Sequence, residues 1–253
     1  MMTRDEIIRQ LEAHADPAAV AGMARYGIVG AQVYGVKVPV LREMARDIGR
    51  SHALALDLWA HNSRETRVLA SMIDEWRAVD ESQMEAWVAD FDSWEVCDQV
   101  CGNLFAKTPY AFDRAVAWSG RPEEFVKRAG FVLMADLAHR SSKLPDERLA
   151  AFLPIIEREA GDGRNFVRKA ANWALRDIGK RNQALNAEAI VVAARLKERP
   201  EPSARWNGAD ALRELTGAAV QKRLAGHGRP TTPAAAQQQA PETPPPGESE
   251  TPG

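Results

Sequence analysis

Apolar residues recur at spacings of three and four almost from the start of the chain. This pattern predicts a succession of α-helices, each with one buried face. Ile7, Ile8 and Leu11 mark the first helix, over residues 3–13, with Thr3 and Glu6 spaced as a capping box. A short helix with Pro17 in its first turn follows and stops at Tyr26 and Gly27. The apolar, glycine-containing stretch 27–35 then predicts a packed loop. Val38 to Gly49, Ser51 to His61, Arg64 to Trp76 and a helix opened by Asp80 or Ser82 come next. Ser93 caps a helix predicted to run to Phe105, and Thr108 and Pro109 start another. After a break at Arg121 and Pro122, a long helix carries Phe125, Ala129, Val132, Leu133 and Leu137. One helix is predicted from Leu144 to near Glu159, and others over 165–179, 184–196, 203–215 and 217–224. Sustained period-two alternation is absent from the sequence, so the fold class expected is all-α.

Many short helices with short connections point to an α-solenoid of HEAT-like helical repeats, with a compact bundle as the rival. Repeat length is irregular and self-similarity weak. The solenoid would occupy residues 1–225 as one domain. Residues 226–253 hold Pro, Ala, Gln, Thr, Glu and Gly without a large apolar side chain, and predict a disordered tail.

Charge changes this picture only through its distribution. The 253 residues carry a formal net charge of −2, which by itself gives no support to nucleic-acid binding. From Asp74 to Asp98, however, nine acidic residues face Arg77 alone, whereas from Arg121 to Arg181 thirteen basic residues face nine acidic ones. The basic half could meet an anionic ligand on a concave surface, or both segments could be charged solvent faces. Cys97 and Cys101 are expected as free thiols, and neither they nor the five histidines make a metal-ligand cluster in sequence. Neither a signal peptide nor an apolar run of membrane length is visible, so a cytoplasmic monomer without membrane contact is expected.

Two segments carry candidate chemistry. In DSWEVCDQVCGNLF, Trp94, Asp98, Cys101 and Phe105 share one helical stripe. Aspartate in mid-helix has poor propensity and is almost never buried unpaired, so Asp98 either meets a cation or faces something that needs a negative charge. Trp94 beside it reads as packing or as the floor of a shallow site. In RNFVRKAANWALRDIGKR, Lys169, Trp173, Arg176 and Lys180 share a face, while Phe166, Ala170, Ala174 and Ile178 are expected to supply the core. Trp173 is thus expected to be at least half-exposed, beside phosphate contacts or packed under long cationic stems. Arg128, after Lys127, is placed to pair with Asp98 or to reach phosphate.

GVKVPVLREMAR (35–46), DSWEVCDQVC (92–101), PEEFVKRAGFVLMADLA (122–138), NFVRKAANWALRDIGKRN (165–182) and ARWNGADALRELT (204–216) together resemble the bacterial DNA alkylation repair glycosylases built from HEAT-like repeats, the AlkD-like family. The resemblance covers residues 3–224. It implies an α-solenoid holding duplex DNA that contains alkylated purines. It also implies excision of cationic 3- or 7-alkylpurines without metal, cofactor or deep base flipping. Residue by residue, it makes Asp98 the carboxylate, Trp94 and Trp173 the aromatics and Arg128 the site arginine, with Lys127 as the one-residue alternative. Tyr26 matches a tyrosine closing the lesion side, and Arg205 a phosphate contact. Lys169, Arg176 and Lys180 are the further DNA-binding candidates. Within the last motif, Gly208 is expected to weaken its helix. The alternatives are a non-catalytic DNA-binding or scaffold protein of the same fold, and a protein-binding adaptor.

Overall fold

A computed structural model describes residues 2–140 and 144–227. The predicted tail therefore lies, from residue 228 on, outside the described residues. Within them every regular element is helical. Helix α1 (Arg4–Ala13) begins with the capping box of Thr3 and Glu6, and α2 (Pro17–Arg25) with Asp16 accepting from the backbone N–H groups of Ala18 and Ala19. Next come α3 (Val38–Ile48), α4 (His52–Ala60), α5 (Arg64–Ile73), α6 (Glu81–Ala89) and α7 (Trp94–Asn103). Ser51, Ser63, Asp80 and Ser93 cap the last four of these. A 3-10 turn at Phe105–Lys107 leads to α8 (Ala111–Ser119) and α9 (Glu124–Arg140). The chain continues through α10 (Asp146–Ala150), α11 (Leu153–Glu159), α12 (Asn165–Gly179), α13 (Gln183–Lys197), α14 (Pro202–Leu215) and α15 (Ala218–His227).

Four boundaries differ from the sequence expectation, each for a local reason. Helix α5 stops before Trp76 because Asp74 turns extended, its carboxylate receiving the Glu75 N–H, a His52 ring nitrogen and the Gln83 amide. Helix α7 stops at Asn103, so Phe105 enters the core from the 3-10 turn; within α7 Cys101 is buried, while Trp94 and Asp98 stay at the core's edge. Thr108 donates its hydroxyl back to the Phe105 carbonyl and closes the 3-10 turn instead of opening α8. Residues 144–159 form two helices, not one, because Pro154 lacks the N–H that a continuous helix needs there and sits in the first turn of α11. The 27–35 loop is packed at its ends, through Ile28 and Tyr34, and exposed between them.

The helices stack in two rows. α3, α5, α7, α9, α12 and α14 each pack on the next, forming an inner row. Behind it, α4 packs on α5, α8 on α9, α11 on α12 and α13 on α14. This is an all-α helical-repeat architecture of HEAT-like kind. Trp59 and Trp87 stack at 4.0 Å between α4 and α6, and Phe91, Phe105 and Trp118 continue the aromatic core toward α8. The repeat hidden in the sequence appears in the side-chain bonds that cross it. Arg64 reaches Glu95, Asn103 reaches Ser71, Arg128 reaches Asp98 and Lys127 reaches Glu159, at separations of 31, 32, 30 and 32 residues. Gly208 is a structural requirement, not the weak point expected. A Cβ there would lie 2.4 Å from the Lys197 backbone nitrogen, so its absence lets α14 cross α13 closely.

Candidate nucleic-acid interface

Nearly all the candidate residues lie on or at the ends of inner-row helices, and the Asp98–Arg128 pair ties three of those helices together. Arg128 on α9 grips the Asp98 carboxylate on α7 with two hydrogen bonds, Nε to Oδ1 at 2.9 Å and Nη2 to Oδ2 at 2.8 Å. Its remaining terminal nitrogen donates to the Phe166 carbonyl on α12 at 2.6 Å. The Asp98 side chain is 18% exposed and that of Arg128 7%. Burial pushes the Asp98 carboxyl above its ordinary pKa; the charge and hydrogen bonds of Arg128 oppose this, and nearby Glu95 adds to it. A fork-to-fork pair of this kind fixes the carboxylate in both position and orientation. Of the two roles open to Arg128 in the sequence, the structure shows the pairing with Asp98.

Arg128, but not Asp98, lines a groove of about 510 Å³ that it shares with Tyr26, Trp94, Phe166 and Lys169, so Asp98 sits behind Arg128. Trp94 donates its indole N–H to the Tyr26 carbonyl at 2.8 Å, fixing the end of α2 over the start of α7. Gly27 follows with φ +75°, and a Cβ there would lie 2.8 Å from the Phe166 ring, so the turn and the ring fit only with glycine. Tyr26 is 74% exposed. Phe166 was expected in the core. Instead it is half-buried, packs beside Phe125 at 5.7 Å and forms a groove wall. Lys169, one turn on, is exposed.

Trp173 lies a further turn along α12, half-buried, and donates to Asp177 at 2.8 Å. It lines a second groove, with His139, Lys180 and Arg181, apart from the one at Trp94. The neighbouring cations are neutralised within the protein. Arg176 pairs with Glu214, and Lys180 with Asp177 at 2.7 Å and Glu214 at 3.0 Å. Lys127, buried, meets Glu159 at 2.8 Å and Asp162 at 3.1 Å. Arg205 is exposed and donates to the carbonyls of Arg199 and Pro200. The structure thus brings Tyr26, Trp94, Asp98, Arg128 and Lys169 together. Trp173, Arg176 and Lys180 sit farther along α12, and Lys127 joins a separate ion cluster.

Sequence reasoning missed two features. Arg168 stacks over Trp206 at 4.5 Å, linking α12 to α14; Trp206 stood in the quoted ARW motif, but nothing linked it to Arg168. Glu65 is fully buried and accepts from the backbone N–H groups of Tyr34, Gly35 and Val36. Arg64 beside it reaches Glu65, Glu95 and the Val36 carbonyl. This network anchors to α5 and α7 the segment that leads away from the groove. A glutamate–arginine pair at a helix start gives no such signal in sequence.

Both thiols are buried, and burial raises the Cys101 pKa well above the ordinary thiol value, which suits packing and not nucleophilic work. Among the described residues no group of three or more His, Cys, Asp or Glu is placed to hold a metal ion. Nor is any described helix long and apolar enough to cross a membrane.

Fold and groove define a helical-repeat protein whose inner row presents a paired carboxylate beside aromatic and cationic walls. The chain belongs to the DNA alkylation repair enzyme family: the profile of that description matches residues 7–215. That membership carries a DNA-binding, repair-related role. Among solved structures, one described as "a new family of proteins related to the HEAT-like repeat DNA glycosylases with affinity for branched DNA structures" is similar at TM-score 0.71 and 17% identity, over 89% of this chain and 95% of that one. At that identity the likeness speaks for the fold. A designed armadillo repeat protein in complex with the peptide (KR)4 is 14% identical at TM-score 0.33, over 75% of this chain and 85% of that one, too distant to bear on either fold or site. No curated protein matches the chain.

Proposed function

We propose that this protein is an alkylpurine DNA glycosylase, hydrolysing the N-glycosidic bond of cationic 3- or 7-alkylpurines in duplex DNA. The observation that carries the reading is the Asp98 carboxylate, gripped by Arg128 behind an open groove walled by Trp94, Phe166 and Lys169. Alkylation at N3 or N7 makes the purine a cation and weakens its bond to C1′. As that bond breaks, its electron pair goes to the base, which departs neutral, and positive charge grows on the deoxyribose. Water then adds to C1′ and releases a proton, leaving an abasic site. This reaction needs negative charge near the sugar more than a strong general acid. Asp98 supplies it, and Arg128 keeps the carboxylate aimed. Trp94 and Trp173 offer π faces to polarised C–H groups of the backbone. Tyr26 borders the lesion side, while Lys169 and Arg205 hold flanking phosphates. Arg176, Lys180 and Lys127 contribute to this surface mainly by tying its helices together.

The groove at Trp94 is bordered by the exposed Tyr26, and in this reading the base stays near the duplex instead of entering a deep pocket. The test is single-turnover release of 7-methylguanine from duplex DNA by wild type and Asp98→Asn, with melting temperature and affinity measured on the same preparations. A positioned electrostatic group of this sort contributes roughly a hundredfold to a thousandfold in rate. Excision is expected to fall by at least that order while DNA affinity changes little. A folded Asp98→Asn protein with wild-type excision would overturn the catalytic assignment. Tight DNA binding by a wild type that releases no base would favour the non-catalytic reading.

A further inference from the structure

Two i,i+4 pairs of α7 are partly exposed, Trp94 with Asp98 toward its start and Gln99 with Asn103 toward its end, whereas Val96, Cys97, Val100 and Cys101 are buried. The groove at Trp94 occupies the N-terminal end. At the other end lies a groove of about 710 Å³, bordered by Asn103, Met72 on α5, and Arg42, Arg46 and Arg50 of α3 and its exit turn. Arg42 and Arg46 stand at i and i+4 on α3 and so share a face, while Arg50, past the turn at Gly49, borders the same groove. All three are exposed. Arg46 has only a long, exposed contact with Glu43 at 3.9 Å, and Arg50 spends one nitrogen on the Asp74 carbonyl. Arg50 also borders the adjoining surface where Arg77 stacks on Trp76 at 4.3 Å. This cluster contrasts with Arg176, Lys180 and Lys127, whose charges are already matched by carboxylates.

Nine residues of helix separate Trp94 from Asn103, a rise of about 14 Å. Duplex DNA presents its two phosphate strands across grooves of about 6 Å and about 12 Å. That rise is of the order of the wider groove, so a duplex with one strand at the Trp94 groove has its other strand within reach of the far end of α7. We propose that the Arg42–Arg46–Arg50 groove holds the phosphates of the strand opposite the one seated at Trp94, making it a second-strand grip. The inference rests on the DNA reading above. It adds that this protein distinguishes double- from single-stranded DNA at a place remote from Asp98. Guanidinium groups suit this task, since each presents a planar fork to phosphate oxygens.

The experiment compares wild type with the double variant Arg42→Gln, Arg46→Gln, leaving Arg50 and its bond to Asp74 intact. Binding to an unmodified duplex and to one of its strands alone is measured over a range of salt, with 7-methylguanine release at saturating enzyme as a third reading. Each phosphate contact contributes about 0.9 to the slope of log affinity against log salt on duplex DNA. The variant is expected to lose about 2 from the duplex slope and about tenfold or more in duplex affinity near 0.1 M salt. Its single-strand affinity and its excision rate once bound are expected to match wild type. An unchanged duplex slope in a variant of a wild type that binds and excises overturns this inference alone. Equal loss on single strand and duplex overturns it too, since the groove would then not read the second strand. A wild type without duplex affinity would overturn both this inference and the proposed function.

Discussion

Asp98 and Arg128 are a pair in which the same contacts serve structure and proposed chemistry. Removing one partner of a buried ion pair costs about 3–5 kcal/mol, because the other is left without a counter-charge. Any substitution at either position must therefore be read for stability as well as rate. Protonation offers a cleaner probe, because it leaves the side chain in place. Burial raises the Asp98 pKa, so the carboxylate is lost on acidification earlier than an ordinary aspartate would be. If the ionised form carries excision, the acid limb of the single-turnover rate is expected above the ordinary aspartate value of about 3.9. The rate should fall as pH drops through that limb, at saturating enzyme and on a duplex with 7-methylguanine. A profile flat down to pH 4 while the protein stays folded would remove ionised Asp98 from the mechanism.

At the level of the element, two positions show how closely the inner row depends on its neighbours. Gly208→Ala places a methyl against the backbone of α13, with the nearest atom at 2.4 Å. Although alanine is the better helix former, overpacking of this kind typically costs about 1–3 kcal/mol. The variant is expected to melt lower than wild type, and an unchanged or higher melting temperature would show that α13 and α14 can separate freely. The turn between α11 and α12 is held by Asp162, whose carboxylate receives hydrogen bonds from Arg164 and then from Lys127. These bonds lower its pKa to about 2. A depressed carboxylate stabilises the fold above its unfolded pKa of about 3.9, and that stabilisation is lost as pH falls toward 2. Denaturation midpoints between pH 5 and 2.5 should decline more steeply for wild type than for Asp162→Asn. Parallel declines would show that this turn contributes nothing to acid sensitivity.

Over the whole molecule, the polar bonds between inner helices advance by about one repeat at a time, so each repeat is secured mainly to its neighbour. The grooves at Trp94, Trp173 and Arg42 all belong to this row, and the family profile spans it from residue 7 to 215. The side chains named for these grooves all belong to described residues before 228. A chain truncated after His227 is expected to keep its melting temperature and its single-turnover excision within about twofold of the full chain, an order-of-magnitude allowance for ordinary surface changes. A larger loss of excision would bring the Pro/Ala/Gln-rich segment into the function.

The helices themselves were legible from the sequence, because their signals are local. Thr3 with Glu6, Pro17, Ser51, Ser93 and Gly49 each act within a turn or two of where they stand. The Trp94–Asp98 spacing was equally local, as was the sharing of one face by Lys169 and Trp173. What the sequence left open was decided between residues 29 or more apart. Asp98 meets Arg128 at a separation of 30, and Arg128 meets Phe166 at 38. Arg176 is neutralised by Glu214, also 38 residues away. Glu65 closes on the Tyr34–Val36 backbone at separations of 29 to 31. Periodicity says which side of a helix is apolar, but not which polar edge faces a neighbour's carboxylate. That depends on how one helix slides and turns against the next, and burial sets the register. The same stacking turned Phe166 from a core residue into a groove wall, and left Arg42 and Arg46 with charge to offer beyond the protein.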